Sequence, residues 1–134
     1  MPGVLVDANV ILDVILDDPQ WYTWSVAELE GCAERDRLLI NPIIYSEVSI
    51  GFQRIEELDA ALASAGFIMV PLPKEALFLA GKAFLKYRRS GGVKRSTLPD
   101  FFIGAHAAVH KLALLTRDPA RVRTYFPTVK LISP

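Results

Sequence analysis

The sequence has a single cysteine, two histidines and no long apolar run. Cys32 cannot form an internal disulfide and has no Cys or His partner at zinc-like spacing, so we expect a buried helix residue in a reduced protein. No apolar run reaches the roughly 18 residues needed to span a bilayer. The first residues also lack the basic segment that is typical of a signal peptide. We therefore predict a cytoplasmic protein without a membrane anchor.

Internal repeats, low-complexity tracts and a Gly-rich phosphate loop are likewise missing from the sequence. Their absence argues against repeat architectures and nucleotide-binding switches of the P-loop type. The chain has 134 residues, of which 51% are hydrophobic. A chain of that length buries roughly two-thirds of its unfolded surface. We predict one domain that spans residues 1–134.

The charged residues are divided unevenly between the two parts of the chain. Residues 1–75 contain thirteen acidic and four basic residues, whereas the remainder contains eleven basic residues and only Asp100 and Asp118. The net charge of zero therefore combines about −9 in the first part with about +9 in the second. Two sparse acids beside apolar patterns in a basic region indicate a bound cation with nucleic acid nearby.

Short apolar runs alternate with helical patterns along the whole sequence. The runs that predict strands cover residues 4–6, 38–40, 67–70, 113–116 and 129–132. The predicted helices after the first strand cover residues 20–35, 43–52, 54–65, 74–89, 98–111 and 119–125, and a short one precedes them. This alternation predicts a three-layer α/β/α fold with a mostly parallel central sheet of four to five strands. Ligands bind such sheets at the carboxyl ends of the strands, where Asp7 and Asp118 fall.

Helix capping is the simplest structural interpretation of three of the acidic residues. Asp7 follows the first predicted strand, and Asp118 precedes Pro119, which suits the first position of a helix. Asp100 stands three residues after Thr97, in an arrangement that resembles a capping box. A carboxylate at a helix start can also point into a cleft, so capping and ligand binding remain compatible.

Helix capping does not explain Glu47, which is predicted in the interior of a helix. It shares the apolar stripe of its predicted helix with isoleucines, and a buried carboxylate costs several kcal/mol unless it is paired or bound to metal. Several carboxylates that converge in a poorly solvated pocket repel one another, and a divalent cation removes that repulsion. Ligands that are all oxygen favour Mg²⁺ or Mn²⁺ over zinc.

Four segments of the sequence resemble the acidic motifs of PIN-domain ribonucleases. The segments are Val4-Leu-Val-Asp-Ala-Asn, Asn41-Pro-Ile-Ile-Tyr-Ser-Glu, Leu98-Pro-Asp-Phe-Phe-Ile-Gly-Ala-His-Ala and Leu115-Thr-Arg-Asp-Pro. Their order and spacing match over essentially the whole chain, and its length is most similar to that of the toxins of bacterial VapBC toxin–antitoxin pairs. The resemblance places the catalytic, metal-binding acids of the family on Asp7, Glu47, Asp100 and Asp118. Asn9 and Thr116 fall at the supporting polar positions.

The resemblance implies an Mg²⁺-dependent endoribonuclease, with Mn²⁺ as a possible substitute. Asp7 and Asp100 would bind the principal ion, and Glu47 and Asp118 would complete the cluster directly or through water. Hydrolysis of RNA would leave 5′-phosphate and 3′-hydroxyl ends. The implied partners are an RNA substrate, a small cognate antitoxin and a second copy of the chain in a homodimer.

Basic residues between Glu75 and Asp100 are candidates for RNA binding, because no acid interrupts them. A solvated helix face is the alternative interpretation for each of them. The candidate residues are Lys82, Lys86, Arg88, Arg89, Lys94 and Arg95.

Three weaker features have mainly structural interpretations. His106 and His110 lie one helical turn apart, but a zinc site would need a third ligand. An aromatic cluster near residue 21 favours core packing, with a dimer or antitoxin surface as the alternative; its members are Trp21, Tyr22 and Trp24. A polar helix end is predicted for Asp13, Asp17 and Asp18.

Other classes of protein fit the pattern less well. A haloacid-dehalogenase-like phosphatase needs a second Asp where Asn9 stands. A receiver domain needs an acidic pair after the first strand, a phosphoacceptor Asp after the third and a late Lys, and the sequence fits none of these. A catalytically silent PIN-like module that binds RNA or protein without cutting remains the alternative to the nuclease.

Overall fold

The computed structural model describes residues 3–94 and 98–134. Short strands alternate with helices throughout this part of the chain. The strands are β1 (Val4–Val6), β2 (Leu38–Ile40), β3 (Phe67–Met69), β4 (Ala113–Leu115) and β5 (Leu131–Ile132). The helices are α1 (Ala8–Ile15), α2 (Tyr22–Arg35), α3 (Pro42–Val48), α4 (Ile55–Ser64), α5 (Lys74–Arg89), α6 (Pro99–His110) and α7 (Ala120–Tyr125), with a 3₁₀ turn at Ser49–Gly51.

The strands form one sheet in the order β3-β2-β1-β4-β5, and all four neighbouring pairs are parallel. Because crossovers between parallel strands are right-handed as a rule, the strand order is expected to place α1 to α4 on one face of the sheet and α5 to α7 on the other. The helix contacts agree with this division, since α1 packs on α2 and α3 while α6 packs on α5 and α7, and α3 additionally contacts α6. The predicted three-layer α/β/α fold with a parallel sheet is confirmed.

The chain changes direction across the sheet between β1 and β4. It first moves outward from β1 to β3, and it then returns to the other side of β1 to form β4. A crevice opens at the carboxyl ends of the strands where such a reversal occurs. The backbone N–H of Asp7 donates to the carbonyl of Leu115 over 2.9 Å, so the residues that follow β1 and β4 are neighbours in this crevice.

Two helices on the crevice side begin at a side-chain N-cap. The Asp7 side chain caps α1 and accepts a hydrogen bond from the backbone N–H of Ala8 at 2.8 Å. Asn41 caps α3 by accepting from the N–H of Ile44 at 2.9 Å, with Pro42 at the start of the helix. Both caps satisfy backbone donors that would otherwise lack a helical partner.

Several other ends of helices and strands differ from the predicted ones. Asp118 does not cap α7, which starts at Ala120 after an N-cap residue, Pro119, that makes no side-chain capping bond. Helix α6 begins after Leu98 without a side-chain cap, and Thr97 of the predicted capping box lies outside the described residues. The helix predicted over residues 43–52 ends as α-helix at Val48. The last strand is shorter than predicted and covers only the two residues of β5.

The core on the α6 side is built around Phe101, whose side chain is fully buried. Its ring lies 5.3 to 6.5 Å from four other aromatic rings, which belong to Phe84, Tyr87, Tyr125 and Phe126. Aromatic pairs at these separations and near-perpendicular angles are favourable. The cluster therefore fixes α7 against α5 and α6.

Helix α6 approaches the end of α7 closely because residue 104 is glycine. A Cβ atom at Gly104 would lie 2.5 Å from Cδ2 of Phe126, which is too short for any carbon contact. On the opposite face, Cys32 is 1% exposed within α2, which confirms the prediction of a buried helix residue. Within residues 3–94 and 98–134, none of the helices has the length and apolar character needed to cross a membrane.

Candidate functional site

Asp7 lies at the centre of the crevice and is only 8% exposed. Its Oδ2 atom accepts a hydrogen bond from the hydroxyl of Thr116 at 2.8 Å and a longer one from the Asn9 amide at 3.4 Å. The same Thr116 oxygen accepts from the backbone N–H of Asp118 at 3.1 Å. The two polar residues that the sequence analysis placed beside the acids therefore both contact Asp7.

Asn9 connects the ends of the two central strands. Its Nδ2 atom lies 3.3 Å from the Thr116 hydroxyl, and its Oδ1 atom accepts from the backbone N–H of Arg117 at 3.3 Å. The amide thus holds the loop after β4 against the start of α1. This network orients Asp7 before any ligand is present.

The remaining acids come from separate elements around Asp7. Glu47 is half-buried on α3, Asp100 is half-buried in the first turn of α6, and Asp118 is exposed in the loop after β4. The structure only partly supports a buried stripe around Glu47, because Ile50, three residues later, is 78% exposed.

The acids raise one another's pKa values. Burial, and then the negative charges of Asp100 and Asp118, raise the pKa of Asp7 to about 6, although the Thr116 hydroxyl and Ala8 N–H bonds oppose the shift. Burial, followed by the charges of Asp7 and Asp100, raises the pKa of Glu47 to about 7. Burial also raises the pKa of Asp100, against the opposing positive charge of Arg121. These carboxylates share one electrostatic environment that favours a cation.

The carboxylates are near one another without forming a tight cluster. Across residues 3–94 and 98–134, no three His, Cys, Asp or Glu side chains lie close enough together to make a preformed metal site. Mg²⁺ retains several water ligands and commonly binds through one or two carboxylates, so it does not require such a cluster. The donor set consists of oxygen atoms only, and it fits Mg²⁺ or Mn²⁺ in its chemistry.

A cleft of about 390 Å³ opens beside two of these acids. Its lining residues are Tyr87, Asp100, Asp118, Ala120, Arg121, Thr124 and Tyr125. A larger cavity of about 640 Å³ lies beside Gly3 and Ala113, at the amino ends of β1 and β4. That cavity is at the opposite end of the sheet and none of the four acids lines it, so its size does not make it the better candidate.

Arg121 is a cleft residue that the sequence analysis missed. Its Nη1 atom donates to Oδ2 of Asp100 over 3.2 Å, and its guanidinium lies 5.6 Å from the Tyr87 ring centre and 5.9 Å from that of Phe101. The sequence gives no signal for this pairing, because Arg121 and Asp100 are 21 residues apart on different helices.

Asp13 and Arg117 form a second pair that the sequence analysis missed. Asp13 was predicted at a polar helix end, but it is 2% exposed and accepts two bonds from the Arg117 guanidinium, at 2.8 and 3.0 Å. The Ser25 hydroxyl donates to the same carboxylate at 2.7 Å, and the guanidinium lies 5.5 Å from the Trp21 ring centre. This pair connects α1, α2 and the loop that carries Asp118.

The predicted RNA-binding residues do not line the cleft. Lys82, Lys86 and Arg89 are exposed on α5, and Arg88 donates to the backbone carbonyl of Lys94 at 2.6 Å. Arg95 lies outside the described residues. From α5 the cleft receives a tyrosine, Tyr87, rather than a lysine or arginine.

The histidine pair is structural in character. His106 is fully buried, and its Nδ1 atom lies 3.0 Å from the side-chain nitrogen of Asn41. Burial, and then the nearby His110, lowers the pKa of His106 to about 4, so its ring is neutral near pH 7. The two rings are 5.1 Å apart, and a third zinc ligand is missing in the described part of the chain.

The aromatic cluster of residues 21–24 is partly packed and partly exposed. The rings of Trp21 and Trp24 meet edge to face at 5.9 Å, whereas Tyr22 is 40% exposed. Packing against Arg117 and the neighbouring tryptophan therefore accounts for Trp21 without a partner.

Solved structures with the same fold include VapBC and toxin–antitoxin complexes. VapBC2 from Rickettsia felis, bound to a DNA fragment from its promoter, matches with a TM-score of 0.73 and 18% identity over 98% of each chain. FitAcB from Neisseria gonorrhoeae gives a TM-score of 0.66 and 19% identity over 96% of each chain. A toxin–antitoxin complex from Klebsiella pneumoniae gives a TM-score of 0.67 and 23% identity over 95% of each chain.

Comparison with curated proteins gives no significant match. A comparison with models of protein families does: the model of the PIN domain matches residues 4–127, which is nearly the whole chain. That match covers Asp7, Glu47, Asp100 and Asp118 together with the crevice between β1 and β4. The chain belongs to the PIN domain family.

Proposed function

We propose that this PIN domain is the toxin of a VapBC-type toxin–antitoxin pair and acts as a metal-dependent endoribonuclease. The observation that carries the proposal is the buried Asp7, which is held by two side-chain donors at the switch point of the sheet. Three further carboxylates from α3, α6 and the loop after β4 surround it, and two of them contribute directly to its raised pKa. Such an arrangement suits the binding of a divalent cation.

The proposed metal ligands are Asp7 and Asp100, with Glu47 and Asp118 as further ligands, direct or through water. A bound Mg²⁺, or Mn²⁺, would activate water and neutralise the charge that develops on the phosphate during an in-line displacement. Because ligands must be deprotonated, a cation and the ionised forms of Asp7 and Glu47 favour each other.

The residues around the acids have orienting roles. The Thr116 hydroxyl and the Asn9 amide fix the rotation of the Asp7 carboxylate. Thr116 also holds the backbone N–H of Asp118, so one hydroxyl positions two of the four acids. Such preorganisation lowers the cost of assembling the site around a substrate.

The nuclease proposal has a direct test. The route does not use the RNA 2′-hydroxyl, so products should carry 5′-phosphate and 3′-hydroxyl ends, in Mg²⁺ or Mn²⁺ but not in EDTA. Asp7→Asn and Asp100→Asn should each abolish cleavage, whereas Asp17→Asn, an exposed control, should not. Wild-type cleavage by either site variant contradicts the assignment. RNA binding without any metal-dependent product would support the silent binding module instead.

The proposed partners are an RNA substrate, a cognate antitoxin and a second copy of the chain. The antitoxin is supported by the toxin–antitoxin complexes that share the fold. Unusually exposed apolar side chains are consistent with a protein partner, and they include Ile50 at 78%, Phe78 at 68% and Ile55 at 62% exposure. Light scattering of the purified chain tests the dimer. A short reading frame beside the gene, whose product inhibits cleavage, would support the antitoxin.

A further inference from the structure

Arg121 occupies an unusual position for a basic residue. It is the one cation whose hydrogen bond, within the described part of the chain, reaches an acid of the candidate site. Its side chain is 37% exposed, so the guanidinium faces the cleft and is not locked in the core. An ion pair that is in part open to solvent contributes little to stability, typically about 0–1 kcal/mol. Arg121 is therefore free to exchange partners at low cost.

The rings beneath Arg121 restrict where its guanidinium can go. Tyr87 and Phe101 both lie within about 6 Å of it, a separation at which aromatic faces attract cations. These rings belong to the aromatic cluster around the buried Phe101. The guanidinium consequently lies beside these rings in the cleft that Asp100 also lines, where an entering ligand can contact it.

The cleft offers the groups that a single-stranded nucleotide needs. A guanidinium binds phosphate with two parallel hydrogen bonds. The half-buried ring of Tyr125, which also lines the cleft, provides a surface on which an unpaired base can stack. Once a divalent cation shares the charge of Asp100, that carboxylate no longer holds Arg121 as strongly, and a phosphate becomes the better partner.

We propose that Arg121 is the phosphate-binding residue of the substrate cleft, and that it exchanges the Asp100 carboxylate for a phosphate of single-stranded RNA. This inference rests on the proposed nuclease function and deepens it. Under this inference, Arg121 of α7 contacts the phosphate beside the acids. The exposed lysines of α5 would contact the RNA outside the cleft. Arg121 has opposite effects on two ligands, because it competes with the metal and attracts the RNA.

The test compares Arg121→Gln with Arg123→Gln. Arg123 lies on the same helix, is exposed and does not line the cleft, so its substitution removes the same charge nearby. Mn²⁺ binding is measured by titration calorimetry. Binding of a short oligo(U) strand in Mg²⁺ is measured by fluorescence anisotropy over a range of salt concentrations, in a Glu47→Gln background that prevents cutting.

Arg121→Gln should bind oligo(U) roughly ten-fold more weakly, with a salt slope smaller by about 0.7, the value for one phosphate contact on a single strand. It should bind Mn²⁺ more tightly than wild type, because a competing cation has been removed. Arg123→Gln should change both affinities less than about two-fold, because an exposed charge outside the cleft is screened by salt. Arg121→Lys should recover part of the RNA affinity, since it keeps the charge but loses the two-pronged contact.

Several outcomes would overturn the inference. Equal losses of oligo(U) affinity in the two variants would show that Arg121 is only one charge among many. Weaker Mn²⁺ binding by Arg121→Gln would show that it supports the acids and does not compete at them. A wild-type chain that neither binds nor cuts RNA would instead remove the nuclease proposal and this inference together. If the wild-type chain cleaves RNA but Arg121→Gln and Arg123→Gln have the same affinities for oligo(U) and Mn²⁺, only the inference about Arg121 is removed.

Discussion

At the scale of single residues, the site acids are held in an environment that disfavours their charge. The pKa of Asp7 is raised from 3.8 to about 6 and that of Glu47 from 4.5 to about 7, mainly by burial. Between pH values of about 4 and about 7, these two carboxyl groups keep protons in the folded chain that they have released in the unfolded chain. The carboxyl contribution to the free energy of unfolding therefore falls as pH rises from about 4 to about 7. His106 has the opposite effect, because its pKa is lowered from 6.5 to about 4 on folding. Its contribution to the free energy of unfolding therefore rises with pH between these two values.

A double variant isolates the carboxyl contribution. Asp7→Asn/Glu47→Gln should be more stable than wild type at neutral pH in EDTA, because it removes two ionisations that the fold disfavours. The difference should shrink towards pH 4, where the carboxyls of the wild type are protonated in the folded state. Urea melts of both proteins across this range provide the measurement. A constant difference at every pH would show that the two side chains act through packing and not through charge.

The Thr116 hydroxyl has a separate effect on Asp7. It donates to Oδ2 over 2.8 Å and lowers the pKa of that carboxyl, in opposition to burial. Thr116→Val should raise the pKa of Asp7 above about 6 and move the acid limb of the cleavage profile to higher pH. Thr116→Ser, which keeps the hydroxyl, should restore the limb. A pH–rate profile in Mg²⁺ checks this, and an unchanged limb in Thr116→Val would contradict it.

At the scale of elements, the Asp13–Arg117 pair ties α1 to the loop after β4. Asp13 is almost fully buried and receives three hydrogen bonds, so its loss leaves the Arg117 and Ser25 donors without their acceptor. Asp13→Ala should lower the free energy of unfolding by about 3 kcal/mol, the low end for breaking a buried pair whose other member is partly solvated. Urea denaturation measures this change. Asp17→Asn, four residues along and exposed, should change it by less than about 0.5 kcal/mol.

Element positions follow from local sequence far better than the contacts between elements do. Buried apolar runs of three residues predict β1 and β2 because both faces of a parallel strand are covered. The caps by Asp7 and Asn41 are predictable because a cap bonds to a backbone group at most three residues away. Asp118 shows the limit of such local prediction. An Asp before Pro119 suits a helix N-cap, but Pro119 itself occupies the N-cap position of α7 and the helix starts one residue later.

At the scale of the whole molecule, the charge division predicts a general electrostatic role for α5. Lys82, Lys86 and Arg89 are exposed and do not line the cleft, so their combined replacement by Gln should weaken RNA binding without changing the cleavage site. The salt dependence of binding should become shallower with each contact removed. Anisotropy over a salt series provides the measurement. An unchanged slope would show that α5 lies outside the RNA path.

The acids of the candidate site were proposed from the sequence, whereas its cations were not. The four acids stand in segments that resemble family motifs, whereas Arg121 and Arg117 reach carboxylates 21 and 104 residues away in the sequence. Such distant pairings depend on how the helices pack against the sheet. Arg117 stands inside the fourth motif, but no local pattern shows that it contacts Asp13.

The width of the cleft depends on the absence of a side chain at Gly104. Its missing Cβ allows Phe126 to lie against α6, and Phe126 directly follows α7, the helix that carries Arg121. A methyl group at position 104 would act as a wedge between the two helices and would push α7 outward. The spacing between α6, which carries Asp100, and α7, which carries Arg121, thus depends on the contact of the Phe126 ring with the backbone at Gly104. A larger residue at position 104 should therefore widen or tilt the cleft between Asp100 and Arg121.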